Sequence, residues 1–106
     1  MNDFKLIYRI LRCLQLSLDI EEPDFSPIGA DALGMTQAKW SRIMKMLSDD
    51  GFIRGLNIID VDNAPYPFVS FTRSTSLTLK GLEYLEENSL MQKAAKIAKG
   101  VVEVIK

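Results

Sequence analysis

The stretch TQAKWSRIMKMLSDDGFI, residues 36–53, reads as one helix with both ends marked and a strand beginning behind it. Thr36 is placed to cap the first turn, and Met35 before it to staple onto Trp40. At the far end Gly51 can take the left-handed conformation, with Phe52 after it in reach of Leu47, a Schellman stop. Between these ends Trp40, Ile43, Met44 and Leu47 form one apolar stripe. That stripe leaves Gln37, Lys39, Ser41, Arg42, Lys45 and Ser48 on the solvent side.

Upstream, residues 3–17 place Phe4, Ile7, Leu11, Leu14 and Leu18 at helical spacing, with Lys5, Arg9 and Arg12 on the opposite face. A first amphipathic helix is expected there. The acidic run LDIEEPDF (residues 18–25) follows and is read as a solvated loop, because it lacks the Asp/Asn and Gly spacing of a calcium loop. In SPIGADALG (26–34), Ser26 is an N-cap, Pro27 a first helical residue and Gly34 a stop. The expectation is a short second helix with Ile28, Ala32 and Leu33 inward.

Downstream the periodicity changes. FIRGLNIIDV (52–61) and PFVSFTRSTSL (67–77) are rich in β-branched and aromatic residues and are separated by the loop DNAPYP (62–67), so they pair as a hairpin. Thr78 then caps a further helix, with Leu77 and Leu82 at the staple positions, Leu82 and Leu85 inward and Asn88 at its end. Ser89 and Gln92 are spaced as a capping box for a last helix that runs nearly to Lys106. Its two apolar rows are Leu90, Ala94, Ile97, Val101, Val104 and Met91, Ala95, Ala98, Val102, Ile105.

Composition narrows the function. At 106 residues, 47% apolar and 25% charged, the chain has the size and make-up of one ordinary domain. There is no histidine, which removes Ser/His/Asp and Cys/His catalytic systems and the usual nitrogen ligands of zinc. No glycine-rich phosphate loop occurs. Neither an enzyme nor a cofactor or metal is expected. Cys13 lies among Ile10, Leu11 and Leu14 and is read as a small buried hydrophobe. The N-terminus is interrupted by Lys5, Arg9 and Arg12, unlike a signal peptide, and no apolar run approaches the roughly 20 residues of a membrane span. A cytoplasmic location without membrane association is expected.

Three helices, a hairpin and further helix give a mainly α class with a small β-hairpin: a winged helix-turn-helix with a C-terminal helical extension. The winged-helix domain is expected over residues 1–88, and residues 89–106 as an amphipathic helix packed on it or forming a dimer contact. The stretch 36–53 resembles the recognition helix of MarR-type winged-helix regulators. FKLIYRILRCL (4–14) and SLTLKGLEYLEENS (76–89) together resemble the YjcQ family, small winged-helix-like proteins of Gram-positive bacteria and their phages. The matching residues are Lys5, Tyr8, Ile10 and Leu11, then Leu77, Thr78, Lys80, Gly81, Tyr84, Leu85, Glu87 and Asn88. The resemblance implies the fold and a cytoplasmic home; it implies no catalytic residue and no ligand.

Two readings of function stand at this point. The first is a DNA-binding transcription regulator of bacterial or phage origin that binds double-stranded DNA as a homodimer. It would use Gln37, Lys39, Ser41 and Arg42, with Lys45 and Arg54 on phosphate. Residues 36–54 favour it, with four cations against the two anions Asp49 and Asp50; the whole-chain charge of −1 does not. The second is a protein-interaction module without nucleic acid, docking through Tyr66 and Phe68 at the acidic wing tip or through Leu90, Ile97 and Val101 of the last helix.

Overall fold

The first helix, α1, spans Asp3–Ser17 in the computed structural model, which describes residues 2–89. Asn2 caps it, its Oδ1 accepting the Lys5 amide N–H at 2.8 Å. The helix lies where its spacing predicts but is rolled about its axis. Leu6, Ile10, Leu11 and Leu14 are buried, Ile7 is half-buried, and Phe4 and Leu18 stand in water. Apolar residues cover more than one stripe of this helix, and its neighbours choose among them. Leu18 is already the C-cap.

The expected second helix is divided. Ser26–Ile28 form a 3-10 turn, Gly29 is extended, and α2 is only Ala30–Leu33. Ser26 is not the cap. Instead the Asp24 carboxylate accepts both the Ser26 amide at 3.0 Å and its hydroxyl at 2.9 Å, which holds the Asp24 pKa below the usual carboxylate range. The break has a use. An α-helix through Ile28 would commit its carbonyl to Ala32, whereas here that carbonyl accepts the buried Trp40 indole N–H at 2.9 Å. Ile28 and Leu33 are buried as expected, but Ala32 faces water and Ala30 packs on the core in its place.

α3 spans Gln37–Asp49 with both marked ends in place. Thr36 Oγ1 accepts the Lys39 amide at 3.2 Å. At the stop, Gly51 has φ +83°, the Phe52 amide donates to Leu47 O at 2.8 Å and the Gly51 amide to Ser48 O at 3.1 Å, the paired bonds of a Schellman motif. Trp40, Ile43, Met44 and Leu47 are buried and meet Ile10, Leu11, Leu14, Ile28 and Ile53 in one core.

The hairpin forms in two antiparallel pieces. β1 (Ile53–Arg54) pairs with β4 (Ser76–Leu77), and β2 (Asn57–Ile59) with β3 (Phe68–Ser70), in the register Ile53↔Leu77 and Ile58↔Val69. Residues 55–56 of the outgoing arm therefore face residues 71–75 of the returning one. The surplus forms a turn held by the Gly55 carbonyl, which accepts the hydroxyls of Thr72 and Thr75. Gly55 has φ +78°, and a Cβ there would lie 2.1 Å from Ser74 O. Phe71, on this turn, stacks on Phe25 with centroids 4.9 Å apart and meets Trp40 edge-on at 5.8 Å. Three aromatic rings thus tie the acidic loop, the wing and α3 together.

α4 runs from residue 79 through 89, the last one described. Thr78 caps it, its Oγ1 accepting the Gly81 amide at 3.0 Å while its hydroxyl donates to Gly51 O. Leu85 is buried and Leu82 half-buried. Asn88 does not end the helix. Its Nδ2 donates to Tyr84 O at 2.8 Å within the helix, and Ser89 is helical as well. A polar side chain that bonds back to its own helix leaves the ladder intact, so the stop expected there is absent. The capping partner Gln92 and the last-helix residues 90–106 lie outside the described residues. The fold is mainly helical with a small antiparallel hairpin, a winged-helix-like arrangement.

Two glycines with positive φ should respond differently to alanine. Gly34→Ala (φ +68°, nothing within 4 Å) should cost about 1 kcal/mol of backbone strain, whereas Gly55→Ala adds a clash with main chain and should cost distinctly more. Urea denaturation of the two variants measures the difference.

Candidate nucleic-acid interface

α3 carries four of the six expected contact residues to the surface to different degrees. Gln37, Lys39 and Arg42 are exposed, and Lys45 is half-buried. Ser41 is not at the surface: it is 0% exposed, and its Oγ accepts Gln37 Nε2 at 3.0 Å. Ser41 lies beside Trp40 on a flank of α3 that periodicity alone leaves open, where Gly29, Ala30 and the wing segment 66–69 gather around it. Small polar residues tolerate such burial once bonded. Arg54, on β1, is exposed.

Each α3 cation has a partner within the chain. Lys39 Nζ meets Asp3 of α1 at 2.6 Å, with both side chains about half exposed. Arg42 Nη2 donates to the Pro65 carbonyl of the wing loop at 2.8 Å. Lys45 pairs with Asp49 one turn on at 2.9 Å; this hydrogen bond, then the charges of Asp49 and Asp60, raise its pKa. Such exposed pairs contribute roughly 0–1 kcal/mol and exchange readily with water or another anion. Asp3 and Pro65 carried no sequence signal as partners, since both contacts join elements far apart in the chain.

The wing loop folds toward α3. Tyr66 is half-buried and Pro67 buried, and together with Phe68 and Val69 they border a cleft against Gln37, Trp40 and Ser41. Tyr66 is therefore only partly available to a partner, while Phe68 is 60% exposed. The other docking candidates, Leu90, Ile97 and Val101, lie outside the described residues. Asp60 and Asp62 face solvent near the tip. Among the described residues no group of three or more His, Cys, Asp or Glu is placed to hold a metal. Cys13 is half-buried with its thiol pKa pushed up by burial, an unreactive setting.

The segment 76–89 has a structural role that its order in the chain conceals. Lys80 Nζ donates to Asp50 O at 2.7 Å and sits 5.0 Å from the Phe52 ring centroid, and Tyr84 meets Phe52 edge-on at 5.4 Å. Gly81 lets α4 press on the α3 stop, since a Cβ there would be 2.6 Å from Phe52 O. The family model of the YjcQ protein matches residues 8–104. The chain belongs to the YjcQ family. No curated protein and no solved structure matched it. Four of the twelve residues named above for the resemblance, Thr78, Lys80, Gly81 and Tyr84, lock α4 to α3. None of the α3 cations is among them. No helix among the described residues is long and apolar enough to cross a membrane.

Replacing both Lys39 and Arg42 with Ala should shift stability by no more than about 2 kcal/mol, at most about 1 kcal/mol for each surface contact. Trp40→Ala should cost about 3–5 kcal/mol, through lost packing and an unpaired Ile28 carbonyl. Thermal or urea unfolding compares the two.

Proposed function

We propose that this YjcQ-family chain is a DNA-binding winged-helix protein of the bacterial or phage-infected cytoplasm that regulates transcription and carries no catalytic activity. The observation that supports this reading best is the presentation of α3. Its capped N-terminal half stands at the surface with Gln37, Lys39 and Arg42 exposed, beside a hairpin that adjoins the same helix. A helix that enters the major groove reads bases with its N-terminal residues, and Gln, Lys and Arg supply the donors that adenine and guanine edges accept. Lys45 and Arg54 would meet phosphate, each at the expense of a weak intramolecular bond or none.

Electrostatics limits the footprint. The wing carries Asp60 and Asp62, so it would stay off the backbone, and the contact would fall to α3 and β1. The second reading, a module that binds protein and no nucleic acid, is favoured by that same acidic wing and by the exposed Phe68 beside it. The fold alone does not choose between them.

A salt titration of binding to random-sequence duplex DNA, read by fluorescence anisotropy, separates the two. The expected result is an affinity that falls steeply with salt and is lost in the Lys39→Ala/Arg42→Ala protein. Absence of binding at low salt would sink the DNA reading and move attention to Phe68 and the wing.

A further inference from the structure

α1 carries one stripe whose side chains all stand in water. Lys5, Arg9, Arg12 and Leu16 recur four, three and four residues apart, within about 60° of one another around the helix axis, and all are exposed. The first three are cations and the last is apolar. Beyond Leu16 the sign reverses. Leu18 and Ile20 are 51% and 55% exposed, beside 56% for Leu16, and the exposed Asp19, Glu21 and Glu22 are interleaved with them. The Leu18 amide donates to Gln15 O at 3.2 Å and the Ile20 amide to Ser17 O at 3.1 Å, so the acidic run begins on the course of α1. Single exposed apolar residues need no explanation, but three together between opposite charges mark a contact surface.

Neither end of this surface is neutralised within the fold. Among the described residues the ion pairs are Lys39–Asp3 and Lys45–Asp49, and none of the six charges belongs to them. Arg12 donates to the neutral Gln15 and shares a polar groove with Glu86 of α4. Glu21 and Glu22 share a cleft with Arg73 at the wing base. Counting these neighbours, three cations minus Glu86 leave +2 at one end, and three carboxylates minus Arg73 leave −2 at the other.

A surface that runs from positive through apolar to negative is complementary to itself. Turned about a two-fold axis near Leu16, the cations of each copy lie over the carboxylates of the other, and Leu16, Leu18 and Ile20 of both copies meet at the centre. A nucleic acid or an anionic membrane carries one sign of charge and is repelled at one end. We infer that the protein pairs with a second copy through α1 and the start of the acidic loop, antiparallel and two-fold symmetric. The pairing does not rest on the DNA reading. A helix of 15 residues is only about 22 Å long, so the interface falls at the small end of the specific range and leans on its charges.

The test is sedimentation equilibrium of full-length chains at low and high salt. The parent should be a dimer that weakens at about 1 M salt, where the screening length is about 3 Å. Arg9→Glu/Arg12→Glu and Glu21→Lys/Glu22→Lys should each weaken pairing at least about tenfold. Helical circular dichroism should be unchanged, because all four positions are exposed. Mixed one to one, the two variants should pair with each other, and all four changes in one chain should restore the dimer at the parent's net charge. A parent still monomeric at about 1 mM would overturn the proposal. So would a dimer indifferent to both double variants, or one that they break and the combined chain does not restore, since the opposed charges would then not be meeting. Growth past the dimer with concentration would overturn it in favour of head-to-tail association.

Discussion

The fold turns on the junction between the end of α3 and the start of α4. Gly51 reverses the chain, Phe52 and Ile53 leave α3 as the first wing strand, and 24 residues on from Ile53 the chain returns at Leu77 to pair with it. Thr78 then bonds Gly51 O, Gly81 lies against Phe52 O, and Lys80 and Tyr84 enclose the Phe52 ring. Closing a loop of that length costs configurational entropy, and these contacts offset it at one point. Fixing both ends of the hairpin there also fixes its direction. That direction brings Pro65 to Arg42 and Phe71 to Trp40. The wing, the recognition-helix candidate and α4 share one anchor.

Much of this was legible in the sequence because it is local. The caps of Thr36 and Thr78, the Gly51 stop and the pairing of the two β-rich runs depend on residues within a few positions or on a two-residue period, and all are present. The roll of α1 was not legible: Leu6, Ile7, Ile10 and Leu11 are all apolar, and only the neighbours in space select the inner face. The division of 26–34 likewise depends on Trp40, which claims the Ile28 carbonyl from twelve residues away. Asn88 has the chemistry of a stop and remains helical because its amide bonds back to Tyr84 O.

The candidate site was legible as a list of residue types and less so as a surface. Lys39, Arg42 and Lys45 are outward as expected, yet each is engaged, by Asp3, by Pro65 and by Asp49. Ser41 is interior, bonded to Gln37 at a cleft bordered by Gly29, Ala30 and the wing. Sequence spacing gives the face of a helix that looks away from its own stripe, but not what another segment lays over that face. An anion arriving at α3 competes with two contacts that also hold α1 and the wing loop. Its binding is therefore coupled to their positions by up to the energy of those contacts, about 1 kcal/mol each.

The bond from the Trp40 indole to Ile28 O gives the protein an optical property as well as a mechanical one. Trp40 is the only tryptophan in the chain, and it sits where α3, the 3-10 turn and the wing-base ring of Phe71 meet. Its emission wavelength depends on the polarity and hydration of that one junction. Any event that pulls the wing base off α3 would admit water there and move the emission to the red, so this molecule reports the seating of its own wing without a label.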